Sequence, residues 1–254
     1  MILGVVVGNT SLRWALLETG AVLDRGVVPI RALSDRSGRS WIPGQRVTGA
    51  WIGSVNPVRL PEVRAQLAES GVRVAVAGED FTIPIPNRYR DPRETGTDRL
   101  LNALAASRRF PQRGVVVLDF GTALSASVVS PAGEFLGGPI AAGTPALAAA
   151  LRTRTAQLPE VPVVTPPKSA VCASTAEALE AGIFLQVAGA AERILAALRR
   201  ELPFPFAVIA TGGDARLFER AIWGITLVEP ELVFHGLWMC HEHVEGTRRP
   251  SPQV

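Results

Sequence analysis

Cysteine is scarce in this chain: Cys172 and Cys240 are the only two in 254 residues, and they stand far apart. A disulfide framework needs more, so a reducing compartment is expected. Charge of one sign is lacking as well. The formal net charge is +3, and the arginines fall in separate pairs: Arg108-Arg109, Arg199-Arg200 and Arg248-Arg249. The first two pairs lie near expected helix ends, where cations suit the helix dipole. With no basic run to track a phosphate backbone, nucleic acid is not an expected partner. Long apolar runs are also missing. No segment carries about 18 uninterrupted apolar residues, so no membrane span is expected. No basic stretch precedes the apolar start, so no export signal is expected, and the cytoplasm is the expected location. Neither Gly-x-Gly-x-x-Gly nor a P-loop ending in Lys-Ser/Thr is present. The "CHEH" at 240–243 lacks the paired spacing of a zinc module.

What the chain does have is apolar material, 47% of its residues. That suffices for one large domain or two medium ones. It opens with an apolar strand, Ile2 to Val7, a turn at Gly8-Asn9-Thr10 and a second strand carrying Leu12, Trp14 and Leu16. The stretch 114–138 repeats the pattern. With Gly8 set on Gly121, the next turn glycine falls twelve residues on in both copies, at Gly20 and Gly133, and apolar pairs follow, Val22-Leu23 and Phe135-Leu136. Self-similarity of this kind suggests two related halves. Strands are further expected at 47–57 and 72–78 and in "FAVIATGG". Helices are expected at 60–71, 98–110, 144–158 and 174–202, the last starting with a capping box, Ser174 and Glu177. Gly182 and Gly189 in that long helix suggest close packing of another helix. Strands mixed with helices at this spacing imply an α/β fold. The expected boundary lies near "FPQRG", giving domains at 1–113 and 114–254.

Several residues are suited to chemistry. Asp119 ends an apolar strand two residues before Gly121-Thr122, where backbone amides and the Thr122 hydroxyl can donate to phosphate. It reads equally as a cation ligand or as a turn-capping residue. Asp98, in "GTDR", stands at the start of an apolar-faced helix, as a cap or as a base beside the cation Arg99. Thr211-Gly212-Gly213 follows a strand and precedes a helix, so a nucleotide could lie against the backbone at Gly212 and Gly213. Tyr89, the only tyrosine, lies close in sequence to Gly96–Arg99 and is a candidate for substrate contact.

The ordered set "VGNTSLRW", "YRDPRETGTDRLLNALAA", "VVLDFGTALSASVVSPAGEFLGGPIAAG", "RTAQLP", "STAEALEAGIF", "VIATGGDARLF" and "LVFHGL" resembles the type III pantothenate kinase (Bvg accessory factor) family over nearly the whole chain. The resemblance implies two ribonuclease-H-like halves of the actin/hexokinase/Hsp70 superfamily with ATP in the cleft between them. It also implies a homodimer, phosphorylation of pantothenate by ATP, and a need for magnesium (Mg2+) and a monovalent cation such as K+ or NH4+. By the same resemblance Asp98 is the proton acceptor. Tyr89, Gly96, Thr97, Arg99 and Thr175 contact pantothenate, Asp119 binds the monovalent cation, and Gly8, Asn9, Thr10 and Thr122 contact ATP. Two positions depart from the family pattern, Val6 and Ser127, where the family carries acids. Valine offers no oxygen to a hard cation. The competing readings are a catalytically impaired family member that acts as a ligand-binding or regulatory protein, and a kinase for a sugar or another small molecule on the same fold.

Overall fold

A computed structural model describes residues 1–33, 41–44 and 47–248. Every candidate site residue lies within them; Arg249, of the third arginine pair, lies outside. The chain forms two compact units. One comprises Met1–Arg108 together with the segment from Glu231 onward, and the other comprises Arg109–Pro230.

The first unit is built on a sheet of β1 (Ile2–Val7), β2 (Ser11–Glu18), β3 (Ala21–Pro29), β4 (Ala50–Ser54) and β5 (Val74–Val76), in the order β3-β2-β1-β4-β5. β1 pairs antiparallel with β2 and parallel with β4. Gly20, at φ 81°, makes the tight turn from β2 to β3. Between β4 and β5 runs α1 (Leu60–Glu69), with Pro61 in its first turn and Gly71 beyond its end at φ 77°. Side chains alternate along a strand. Leu3, Val5 and Val7 of β1 therefore join Leu12, Leu16, Ile52, Val63 and Leu67 in one core. The residues between them face the other way: Gly4, Val6, Arg13 and Gly53 share the opposite face. That face receives α2 (Thr97–Arg109) and the last helix of the chain. A Cβ at Gly53 would meet Leu101, and one at Gly4 would meet Phe234 and Leu237.

The second unit carries β6 (Gly114–Phe120), β7 (Ala123–Val129), β8 (Phe135–Gly137), β9 (Ile140–Ala142), α3 (Thr144–Arg154), α4 (Thr175–Glu201), β10 (Phe206–Thr211), α5 (Ala215–Phe218) and β11 (Leu227–Val228). Its main sheet runs β8-β7-β6-β10-β11, with β9 on β7. The order and the strand directions are those of the first sheet. Gly133 closes β7–β8 at φ 79°, as Gly20 closes β2–β3. The repeat read from twelve-residue glycine spacing is thus a repeat of topology. Ser174 caps α4, accepting from the Glu177 amide at 3.3 Å, while the Glu177 carboxylate takes the Ala173 amide at 2.9 Å.

Four features differ from the sequence reading. The division falls after Arg108, not Arg113. The segment assigned to the second domain ends in α6 (Leu232–Arg248), which packs on β1, β2 and β4 of the first unit, because Leu232, Val233, Phe234 and Leu237 are buried there. α3 stops at Arg154. α5 has only four residues. By length and apolar composition α4 could cross a membrane, but Phe184, Val187, Ala191, Leu195 and Leu198 are core residues of the second unit. The "CHEH" lies inside α6, where burial pushes the Cys240 thiol up to about 12.

Candidate functional site

In the first unit, the carboxyl ends of the parallel strands β1 and β4 converge, the place where open α/β sheets bind ligands. The turn that follows β1 is exposed at Asn9 and Thr10 and closes with the Gly8 amide donating to the Ser11 carbonyl at 3.0 Å. Asn56 fastens it to the neighbouring strand. Its Nδ2 donates to the Gly8 carbonyl at 3.1 Å, and its Oδ1 accepts from the Arg59 amide at 3.1 Å. The start of α2 is tied to the same strand end, since Thr97 Oγ1 donates to the Ser54 carbonyl at 2.9 Å.

Asp98 occupies the first turn of α2, where the helix dipole favours a carboxylate. Its Oδ1 accepts from the Arg99 amide at 2.7 Å. The side chain lies over Gly96, where a Cβ would stand 2.6 Å from Asp98 Oδ1 and displace it. Arg99 is 6% exposed, and its Nη1 donates to the Tyr89 hydroxyl at 2.8 Å. Tyr89, Gly96, Thr97, Asp98 and Arg99 are thus one cluster, tied through Ser54 and Asn56 to the Gly8 turn.

The second unit holds a different constellation. Asp119 pairs with Ser125 and Thr211 across the sheet, and Ser127 shares its face of β7. Three segments meet around it. The Gly143 amide donates to the Thr122 carbonyl at 3.0 Å, and the Asp214 amide to the Phe120 carbonyl at 3.1 Å. The Thr144 hydroxyl donates to the Asp214 carboxylate. Gly212, at φ 92°, admits no side chain, because a Cβ would collide with the Asp119 carboxylate and the Phe120 backbone. Gly213 beside it is exposed, with open space where its Cβ would be. Burial holds the Asp214 carboxyl above the ordinary carboxylate range, partly offset by the Thr144 bond. Thr175 is exposed on the first turn of α4, on another element.

Asn56, Asn87, Thr144 and Asp214 were not read as functional from sequence. Asp214 follows the Gly212-Gly213 turn directly, and that adjacency was the available signal.

The two units differ in what they offer a cation. Asp119 places a half-buried carboxylate at a strand end, a donor that suits a hard cation. At the equivalent place in the first unit stands Val6, 3% exposed, and its cross-strand neighbour is Arg13. The first turn therefore carries backbone amides and the Thr10 and Ser11 hydroxyls beside Arg13, and β1 contributes no carboxylate to it.

A family model described as type III pantothenate kinase matches residues 2–197. A type III pantothenate kinase of Frankia alni (strain DSM 45986 / CECT 9034 / ACN14a) is 33% identical over 249 residues, covering 95% of this chain and 99% of its own. Among solved structures, a conserved Baf family protein from Campylobacter jejuni superposes with a TM-score of 0.59 at 17% identity, covering 96% of this chain and 99% of its own. A ROK family glucokinase from Streptomyces griseus, solved with glucose and AMPPNP, superposes with a TM-score of 0.53 at 13% identity, covering 95% and 99%. These two likenesses show the fold alone, an α/β chain built on two mixed sheets of the same strand order.

Proposed function

The chain belongs to the type III pantothenate kinase family, and from that premise we propose that it transfers the γ-phosphoryl group of ATP to the hydroxyl of pantothenate. The product is 4′-phosphopantothenate, the first intermediate towards coenzyme A. The observation that carries this reading is the Asp98 cluster: a carboxylate on a helix N-terminus, held by the Arg99 amide, beside a buried guanidinium that meets the Tyr89 hydroxyl. Asp98 accepts the proton of the attacking hydroxyl. Arg99 and Tyr89, with Gly96, Thr97 and Thr175, bind pantothenate, and a guanidinium suits the carboxylate of that substrate. Gly8, Asn9, Thr10, Thr122, Gly212 and Gly213 take the phosphates of ATP through amides and hydroxyls. The nucleotide arrives with Mg2+, which supplies charge neutralisation on the phosphates when bound. Asp119 holds a monovalent cation, K+ or NH4+.

The protein works as a homodimer in the cytoplasm, without nucleic-acid or membrane partners. The exposed face of α4 supports the dimer: Leu185 is 50% exposed, and Gly182 and Gly189 beside it have open space at their Cβ positions. A helix from a second copy can approach closely there.

The test is ADP release by purified protein with ATP, Mg2+ and pantothenate, with K+ or Na+ as the added salt. Asp98→Asn is expected to lower kcat by about 10²–10⁴, the range of general base catalysis, and Asp119→Asn to abolish the preference for K+. Turnover of the parent no faster than that of Asp98→Asn would sink the proposal.

A further inference from the structure

The contact between Arg99 and Tyr89 joins a helix to an irregular segment ten residues earlier, and the Asn87 side chain binds that segment at both ends. Asn87 makes three hydrogen bonds there, using both donors and one acceptor position of its amide. Its Oδ1 accepts from the Tyr89 amide at 3.1 Å. Its Nδ2 donates to the Thr95 hydroxyl at 3.0 Å and to the Pro92 carbonyl at 3.3 Å. Residues 87 and 95 are thereby clasped together, and the loop between them closes into a ring that carries Tyr89. Inside the ring, Asp91 caps a short turn, Pro92–Glu94, accepting from the Arg93 amide at 3.0 Å. Thr95, one end of the clasp, is 8% exposed and directly precedes Gly96. The loop is therefore anchored where Gly96, Thr97 and Asp98 begin.

We infer that Asn87 is a positioning residue for substrate recognition: its clasp on Thr95 fixes the loop so that the Tyr89 hydroxyl meets the Arg99 guanidinium. The inference rests on the proposed pantothenate site and extends it to a residue outside the recognised motif. Among the described residues the bonds of Asn87 go to Tyr89, Pro92 and Thr95, all within this loop. An amide is required because the position needs two donors and an acceptor together, and neither Asp nor Leu supplies that set. Losing the clasp frees a ring of nine residues, 87–95, and the entropy of re-forming it falls on substrate binding.

Tyr89 is the chain's only tyrosine, so a chain labelled with meta-fluorotyrosine gives one fluorine resonance that reports this loop. In the folded parent the resonance is expected to sit apart from its denatured position and to move on adding pantothenate. Asn87→Ala should shift it towards the denatured position while the fold is retained by circular dichroism. Thr95→Ala should do the same, and the double variant should go no further. In steady state, Asn87→Ala should raise KM for pantothenate about tenfold and leave KM for ATP within about twofold. A fluorine resonance indifferent to Asn87→Ala overturns the inference. So does an equal rise in both KM values, which would mean general loosening. If Asn87→Ala does not fold, Asn87→Ser, which keeps an acceptor but loses the reach to Thr95, gives the same readings. A parent resonance that ignores pantothenate, with no turnover, counts against the substrate reading only; the clasp is then decided by the fluorine shift.

Discussion

Val6 stands where Asp119 stands in the second unit, directly across from Arg13 and 3% exposed. A carboxylate there would face the same side of the sheet as α2 and add an oxygen ligand. Val6→Asp is therefore expected to lower the Mg2+ concentration giving half-maximal activity by about tenfold, equivalent to ~1.4 kcal/mol. A magnesium titration of both proteins checks it; an unchanged midpoint would show that this turn does not approach the metal. Residues of this kind are legible in a sequence because their neighbours are local. Asp98 lies beside Gly96 and Arg99, and Gly212 follows its own strand directly. Asn56, Asn87, Thr144 and Asp214 are not so legible. Asn56 reaches Gly8, and Thr144 reaches Asp214, across intervals that carry no periodic pattern. Polar residues in loops look alike until the fold brings their partners near.

Among the elements, α6 shows most clearly how burial sets behaviour. Gly236 packs on the backbone of α2, and a Cβ there would collide with the Leu101 carbonyl. Gly236→Ala should destabilise the first unit by about 1–3 kcal/mol, the usual effect of overpacking, measurable as a lower denaturant midpoint. One turn further on, His241 lies edge-on to Trp51 at 5.1 Å and against Trp238 at 5.2 Å. Its Nδ1 is buried with no hydrogen-bond partner among the described residues. Burial lowers its pKa below the ordinary 6.5, outweighing Glu245 and Glu242, while the N-terminal ammonium and Arg73 push the same way as burial. A histidine whose folded pKa is depressed contributes stability above its unfolded pKa and loses it as pH falls through the folded value. Melting temperature should accordingly fall between about pH 7.5 and about pH 5.5. His241→Phe should flatten that part of the profile; an equally steep fall in the variant would assign the effect elsewhere. The sequence reading places no helix at 232–248, and its docking on the first sheet is equally hidden there, because that contact joins segments more than 170 residues apart.

For the whole molecule, duplication explains both what the sequence revealed and what it concealed. The glycine spacing exposed the repeated hairpins, because Gly20 and Gly133 each need a left-handed conformation at φ 81° and 79°. The rest of the repeat is carried by strands whose apolar residues are interchangeable, so it became visible only as the shared order β3-β2-β1-β4-β5 and β8-β7-β6-β10-β11. The copies then diverge at their ends. The chain leaves the second unit at Pro230 and returns to the first, so the first sheet is covered by residues that follow the second unit in sequence. Leu232, Val233, Phe234, Leu237 and Cys240 are each at most 4% exposed, and His235 Nδ1 lies 3.1 Å from the Gly20 carbonyl. Burial of five such side chains contributes on the order of 10 kcal/mol, comparable to the whole stability of a domain. A chain ending at Pro230 should therefore lose the first unit selectively. Amides of β1, β2 and β4 should exchange at nearly unfolded rates while those of β6, β7 and β10 stay protected. Hydrogen exchange read by mass spectrometry resolves the two sheets. Equal protection of both in the truncated chain would mean that the first unit closes its core without α6, and that Phe234 and Leu237 are covered by it rather than holding it together.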